Sequence, residues 1–322
     1  MKVSPLFWPV KLKNQTMLVL DETLLPAKFH FIKVRNTKQA VAVIKDMRTR
    51  AFGQFLVVMN TFLLVLKNCK KCPDQKLFGK LQETAEALNA SRPTFPFSEV
   101  TGMVLGWAKK AIDQNVNLRT YLSKNIQGFL HGIYERRIQR VQKIASLIKN
   151  GDTVLTHCNV SGELAMAAAI CKSKKKKVHY FATETRPYFQ GAKLTCWELQ
   201  KVGVDVTLVA DNAVGTLLSD QIIDLVIVGS DRSCANGDIA NKIGTLPIAV
   251  CAKEFGVPMY VLTQPSTKIK KGSDIPIEVR NPKELLVYEG QRIAPKGTDG
   301  FYPGFDVVPN KFIKETIPIN VH

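Results

Sequence analysis

The chain has 322 residues, 45% of them hydrophobic and 22% charged, with a mean hydropathy near zero. These values exclude an extended disordered chain and fit a soluble, folded protein of one large domain or two ordinary ones. Forty-five Lys and Arg against 27 Asp and Glu leave a net charge of +18, and the excess is uneven. Residues 1–150 carry 25 basic and 9 acidic groups, a net +16, whereas residues 151–322 carry 20 and 18, a net +2.

A basic half of this kind marks a nucleic-acid or membrane partner, a solvated face, or a field that draws in an anionic substrate. Its basic residues are dispersed among apolar positions and not interleaved with exposed aromatics, so nucleic-acid binding is not the expectation. Seven cysteines, an odd number scattered through the chain, do not form a disulfide framework. The one C-x-x-C, Cys69 to Cys72, lacks the second pair of ligands a zinc site needs and is expected to be a solvated loop. No metal is expected. Met1 to Pro5 begins no secretory signal. The longest apolar stretch, Phe52 to Leu66, is 15 residues long and interrupted by Gln54, Asn60 and Thr61. It is too short to span a bilayer and is expected to be a buried helix. The cytoplasm is the expected compartment.

In chain order, Phe7 to Val34 is extended, with a strand at Met17 to Leu20. Apolar residues then recur at helical spacing over Thr37 to Leu66, Leu81 to Leu88, Glu99 to Ile112 and Leu118 to Ile148. After Asn150-Gly151 the pattern changes. Strands are expected at Thr153 to Thr156, Val178 to Ala182, Asp205 to Val209, Leu225 to Val228 and Met259 to Leu262. Helices are expected at Glu163 to Lys172, Lys193 to Val202, Val214 to Ser219 and Thr245 to Phe255, and Lys174 to Lys177 is a solvated loop. The expectation is a Rossmann-like α/β domain with a parallel sheet over residues 150–322. A smaller, mostly helical N-terminal domain with a small sheet precedes it over residues 1–149.

Ligands of such sheets bind at the carboxyl ends of the strands, and the polar motifs fall there. Thr156-His157-Cys158-Asn159-Val160-Ser161-Gly162 follows the first strand. A thiol at a strand-to-helix turn sits where backbone N–H groups and the helix dipole lower its pKa; a lone Cys there is more often an inert core residue, a reading that the polar neighbours His157, Asn159 and Ser161 weaken. Thr183-Glu184-Thr185-Arg186-Pro187 and Phe189 to Lys193 follow the second strand, an anchor for sugar hydroxyls or, more plainly, a helix cap with a Glu184–Arg186 surface pair. Gly229-Ser230-Asp231-Arg232 ends the fourth strand, where burial suits Asp231 to general acid or base work; the alternative is a helix cap. Asn241 and Lys242 stand just before a helix, where a phosphate can meet its N-terminus. No G-x-G-x-x-G or Walker A segment is present, so a nucleotide cofactor is not indicated.

Together, Thr-His-Cys-Asn at 156–159, Glu-Thr-Arg-Pro-x-x-Gln-Gly-Ala-Lys-Leu at 184–194, Gly-Ser-Asp-Arg at 229–232 and Asn-Gly-Asp-x-Ala-Asn-Lys-Ile-Gly-Thr at 236–245 resemble the signatures of methylthioribose-1-phosphate isomerases. Their superfamily includes ribose-1,5-bisphosphate isomerases, 5-deoxyribose-1-phosphate isomerases and the regulatory subunits of initiation factor 2B. Pro303 to Pro309 resembles the family's closing motif. Upstream, Asp46 to Gly53 occupies the place of an Arg-Gly-Ala-Pro segment, with Ala51 and Phe52 departing from its small residues, and Ser91 to Thr94 matches an Arg-Pro-Thr segment.

The resemblance implies an aldose–ketose isomerase that acts on a 1-phosphorylated pentose without a cofactor, with Cys158 and Asp231 catalytic. It implies that Arg50, Arg92, Gln190, Asn241 and Lys242 hold the phosphosugar. It implies a homodimer, and it places the chain's departure at Phe52, which bears on the sugar's C5 substituent. The expected sugar is 5-methylthioribose 1-phosphate; the rival within enzymes is 5-deoxyribose 1-phosphate or ribose 1,5-bisphosphate, and the rival from another class is a regulatory subunit without activity, with an RNA partner for the basic half.

Overall fold

The computed structural model describes residues 4–93, 95, 97–264 and 269–319. Met1 to Val3, and Thr94 of the Arg-Pro-Thr segment, lie outside the described residues. The chain divides into two compact units, Pro5–Glu135 and Met1–Ser4 with Arg136–His322.

The first unit opens on a three-stranded antiparallel sheet of β1 (Val10–Lys13), β2 (Thr16–Leu20) and β3 (Phe31–Val34). Helices α1 (Thr37–Lys45), α2 (Ala51–Asn68), α3 (Asp74–Ser91) and α4 (Phe97–Asp113) follow, and α5 (Leu118–Leu147) begins here. The helical periodicity expected to run unbroken from Thr37 to Leu66 is in fact two helices. Asn36 caps α1 by accepting from the Gln39 amide, and the chain turns at Met47 with φ 52° before Arg50 starts α2. Met47 is apolar, so the break leaves no mark in the hydrophobic pattern.

The length argument against a membrane span does not survive either. The helix runs 18 residues and is apolar enough to cross a bilayer by length and composition. What assigns it to the core is burial: Leu56, Val57, Val58, Met59, Phe62, Leu63, Leu64 and Leu66 all pack within one hydrophobic cluster. Asn60 and Thr61 are satisfied inside it by donating to the carbonyls of Leu56 and Val57, one turn back.

The second unit is built on a six-stranded parallel sheet. Its strands are β4 (Thr153–Thr156), β5 (His179–Thr183), β6 (Asp205–Val209), β7 (Leu225–Gly229), β10 (Met259–Thr263) and β14 (Glu315–Pro318), with α6 (Glu163–Ser173), α7 (Cys196–Lys201), α8 (Val214–Ser219) and α9 (Thr245–Glu254) between them. Alternate residues of β7 are buried on opposite faces: Val226 and Val228 pack with Leu218 of α8 and Ile248, Ala249 and Ala252 of α9, while Leu225 and Ile227 are buried behind. The spatial order is β6-β5-β4-β7-β10-β14. Successive strands therefore build outward from β4 on one side and from β7 on the other, and the order reverses between those two.

In the first unit the helix expected over Leu81 to Leu88 is longer, Asp74–Ser91, whereas in this unit the strands and helices expected from sequence are present within a residue or two, except near Gly191. There a π-helical turn over Gly191–Thr195 precedes α7. A Cβ on Gly191 would lie 1.8 Å from the Thr183 carbonyl oxygen, so only glycine allows this close approach to the end of β5.

Two further features are absent from the sequence reading. The polar stretch after Asp231 forms β8 (Arg232–Ser233) and β9 (Ile239–Lys242), which join β13 (Phe305–Val308) in a second antiparallel sheet. The segment between β10 and β13 adds a short α10 (Lys283–Leu286) and the two-residue strands β11 (Val287–Tyr288) and β12 (Gln291–Arg292). Within the lysine run, Lys174, Lys175 and Lys177 are exposed. Lys176 instead donates to the carbonyls of Ala145 (3.0 Å) and Ile148 at the end of α5, where a cation offsets the helix dipole.

Candidate active site

The reversal of strand order between β4 and β7 marks the crevice where open α/β sheets bind ligands. Cys158 lies two residues beyond β4 and Asp231 two residues beyond β7, at the same end of neighbouring strands. Gln190, beyond β5, belongs to the strand on the other side of β4.

Around Cys158 the backbone departs from ordinary geometry. Cys158, Ser161, Thr185 and Phe189 all have φ between 48° and 63°. Four non-glycine residues in the left-handed region at two adjacent loops represent stored strain, which persists only where the surroundings hold it. The holding groups are identifiable. The Cys158 amide donates to Thr185 Oγ1 at 3.0 Å, and its carbonyl accepts from Thr195 Oγ1 at 2.6 Å. Asn159 Nδ2 donates to Thr195 Oγ1 (3.0 Å) and Glu198 Oε2 (2.7 Å), and its Oδ1 accepts from the Ser161 amide. Thr185 is fixed in turn by Asp211, whose carboxylate accepts from the amides of Thr185 and Arg186, both at 2.7 Å. The expected Glu184–Arg186 pair is replaced. Arg186 stacks on Phe189 and Tyr288 and donates to the Leu285 carbonyl.

His157, beside Cys158, is buried and turned away from chemistry. Its Nε2 meets the Ile243 carbonyl at 2.8 Å and its Nδ1 meets Thr183 Oγ1 at 2.6 Å. A carbonyl only accepts, so the proton sits on Nε2 and Nδ1 accepts from the threonine. Burial depresses the imidazole pKa below its usual value, outweighing Asp211 at 4.0 Å. The ring is therefore a neutral strut.

Behind it, Arg137 and Arg140 close on the Glu163 carboxylate at the start of α6, with N–O distances of 2.5–2.7 Å. Arg137 also donates to the Ser161 carbonyl and Arg140 to that of Thr263. Burial alone would raise the Glu163 carboxyl, but the two arginines hold it below its ordinary range. Burial, and then the neighbouring Arg140, bring Arg137 down to about 10, so Glu163 and Arg137 both stay charged at neutral pH.

Asp231 is half-buried, and its amide donates to the Ala240 carbonyl on β9. Asn241 and Lys242 lie on β9, both buried, paired with Asp306 and Phe305 of β13. The N-terminus of α9 is already capped by the Asp306 carboxylate, which accepts from the amides of Gly244 (2.7 Å) and Leu246 (2.9 Å). Asn241 spends its amide on Thr245 Oγ1. The Lys242 ammonium lies 4.6 Å from the Phe305 ring centroid and 5.6 Å from that of Tyr188. Gly244, at φ 103°, passes so close that a Cβ would lie 2.9 Å from the His157 ring.

Tyr188 donates to Glu284, which also grips Arg280 through two bonds of 2.9 and 3.1 Å. Gln190 Oε1 is buried and has no hydrogen-bond partner among the described residues. A buried acceptor left open in this way is what a bound hydroxyl would satisfy.

Arg50 and Arg92 belong to the helical unit, where the structure brings them together at the start of α2. Arg50 Nε donates to Glu22 at 2.5 Å, while Arg92 donates to Gln54 Oε1 at 2.9 Å and lies over Phe95. Gln54 stands one turn into α2, its amide bonded to the Arg50 carbonyl. The Phe52 ring packs edge-on against Trp8 and stacks on Phe55. In the C-x-x-C loop, Lys70 and Lys71 are exposed, as expected of a solvated loop, while Cys69 is buried at 5% exposure. Arg119 donates to the carbonyls of both Cys69 and Cys72. Among the described residues no group of three or more His, Cys, Asp or Glu is placed to hold a metal.

Thr185, Thr195, Asp211 and Glu163, which hold the Cys158 loop, escaped the sequence reading. Each meets its partner across 23 to 37 residues, and no local pattern announces such a contact.

Comparison with known proteins accords with the fold. A model of the Initiation factor 2 subunit family matches residues 54–318. The methylthioribose-1-phosphate isomerase of Desulforudis audaxviator is 37% identical, with 98% of this chain and 93% of that protein covered. The 5-deoxyribose 1-phosphate isomerase of Clostridium botulinum is 36% identical, covering 92% and 89%. The crystal structure of 5-methylthioribose 1-phosphate isomerase from Pyrococcus horikoshii superposes with a TM-score of 0.85 at 29% identity, covering 99% of this chain and 94% of that one. The chain belongs to the Initiation factor 2 subunit family, among its methylthioribose-1-phosphate isomerase-like members.

Proposed function

We propose that this chain isomerises a 1-phosphorylated pentose from aldose to ketose, converting 5-methylthioribose 1-phosphate to 5-methylthioribulose 1-phosphate, with Cys158 and Asp231 as the acid–base pair. One observation carries the reading: the two groups stand at the same end of the adjacent strands β4 and β7, where the strand order reverses. Relatives at 36–37% identity that carry isomerase names support the reaction and the substrate class.

A phosphate on C1 blocks ring opening by simple loss of a hemiacetal proton. The enzyme must protonate the ring oxygen, and Asp231 does this or manages the proton on O2. Hydrogen then moves from C2 to C1, with Cys158 as the proton carrier through an enediol or standing beside a direct hydride shift. Each acid–base group contributes roughly 10²–10⁴-fold. Gln190, Asn241 and Lys242 serve as ligands of the phosphosugar in this unit, and Arg50 and Arg92 as phosphate ligands in the helical unit. The reaction draws on no cofactor. Seven cysteines outside any disulfide fit a reducing, cytoplasmic setting, and the family resemblance points to a homodimer.

The test is ketose formation from 5-methylthioribose 1-phosphate, 5-deoxyribose 1-phosphate and ribose 1,5-bisphosphate side by side. The highest kcat/KM is expected with the first. A higher value with the second would move the substrate to the one named for the C. botulinum relative. No ketose from any of the three, together with salt-dependent RNA binding, would replace the enzyme reading with the regulatory one.

A further inference from the structure

Tyr302 immediately precedes the closing motif that begins at Pro303, and its side chain is only 3% exposed. Its hydroxyl has no hydrogen-bond partner among the described residues, although its surroundings are polar. The ring lies edge-on to Tyr188 at 6.2 Å. Tyr188 is in turn the ring over which Lys242 and Arg280 sit. The backbone is pinned, since the Tyr302 carbonyl accepts from the Arg280 amide at 2.9 Å and Pro303 bridges to Val279. Tyr188 satisfies its own hydroxyl on Glu284, so the cluster contains one phenol that is spent and one that is held in reserve.

A second buried phenol provides a contrast. Tyr180, in the middle of β5, is fully buried and also lacks a partner. Burial, and then the Cys171 thiol on α6, push its pKa up. Its open hydroxyl is a cost of packing. Tyr302, by contrast, stands among the cations and aromatics around Lys242, within electrostatic reach of the Cys158 thiol.

We propose that the Tyr302 hydroxyl is a substrate ligand, donating a hydrogen bond to an oxygen of the bound phosphosugar beside the carbon that Cys158 serves. This rests on the isomerase reading above and names one more contact of the same site. Burial, opposed by Arg280 and helped by Glu284, pushes the phenol up to about 12, so it carries its proton at neutral pH and is a donor. A buried donor without a partner is unfavourable in the empty protein and is satisfied when the sugar arrives. The site thus trades stability for binding.

That trade separates a ligand from a structural residue. Ketose formation and the thermal midpoint of the unliganded protein are measured for wild type, Tyr302→Phe and Tyr180→Phe. Tyr302→Phe is expected to lower kcat/KM about 10–100-fold while leaving the midpoint unchanged or raised. Tyr180→Phe is expected to leave activity at the wild-type level. A kcat/KM for Tyr302→Phe within twofold of wild type overturns the proposal, and so does a loss of activity that comes with a lowered midpoint. Wild type that forms no ketose overturns the isomerase reading itself, and this proposal with it.

Discussion

Cys158 owes its placement to its neighbours, which makes the claim about it testable one residue away. Thr185 Oγ1 accepts the Cys158 amide while Cys158 stays in the left-handed region at φ 62°. Replacing Thr185 with Val keeps the shape and leaves that amide unsatisfied. The expected result is a fall in kcat of tenfold or more with KM little changed, and recovery in Thr185→Ser, which keeps the hydroxyl. A Ser variant as impaired as Val would show that the methyl group matters and the hydrogen bond does not. His157 makes a different prediction. Its pKa is depressed by burial, so above about pH 6.5 it is neutral in both folded and unfolded chains and contributes nothing to the pH dependence. As pH falls below that value the unfolded chain takes up a proton that the folded one refuses. Stability then drops by up to about 1.4 kcal/mol per pH unit until the folded pKa is reached. Denaturant unfolding between pH 7.5 and 5.5 is expected to show this slope in wild type and a shallower one in His157→Gln; parallel curves would contradict it. Cys158 and Asp231 were legible as candidates because each follows an apolar strand. Thr185 looked like one polar residue among several, because its partner is fixed by the pairing of β4 with β5 and not by local sequence.

At the scale of elements, the start of α6 depends on one buried carboxylate shared by two arginines. Arg137 and Arg140 lie on α5, Glu163 opens α6, and Arg137 reaches on to the Ser161 carbonyl in the Cys158 loop. Replacing Glu163 with Gln leaves two buried guanidinium groups without a counter-charge. Such losses cost about 3–5 kcal/mol, and thermal denaturation is expected to show a clearly lowered midpoint, with the Cys158 loop loosened. A midpoint equal to wild type would mean that the arginines find other partners. The helices themselves were visible as periodic apolar residues, and so were five of the six parallel strands. The sixth, β14, reads as an ordinary tail in isolation, and β9 reads as a polar loop because Asn241 and Lys242 sit in it. Those two acquire their meaning from pairing with β13, more than 60 residues later. The π-helical turn at Gly191 was equally hidden, since its cause is a close approach to the Thr183 carbonyl.

For the whole molecule, the alternation of strand and helix predicts a parallel sheet but not its order. The order, reversing between β4 and β7, is what turns two separate polar motifs into neighbours. The charge asymmetry also acquires a narrower meaning. Glu22 and Gln54 hold Arg50 and Arg92 in the basic half, so part of that excess is fixed in place by internal hydrogen bonds. The central claim is that Cys158 and Asp231 perform the isomerisation, and it is tested most directly by pairing turnover with binding in Cys158→Ser and Asp231→Asn. The account predicts that each variant loses ketose formation by at least about 10²-fold while binding 5-methylthioribose 1-phosphate by calorimetry within a few-fold of wild type. Full turnover by either variant would contradict it.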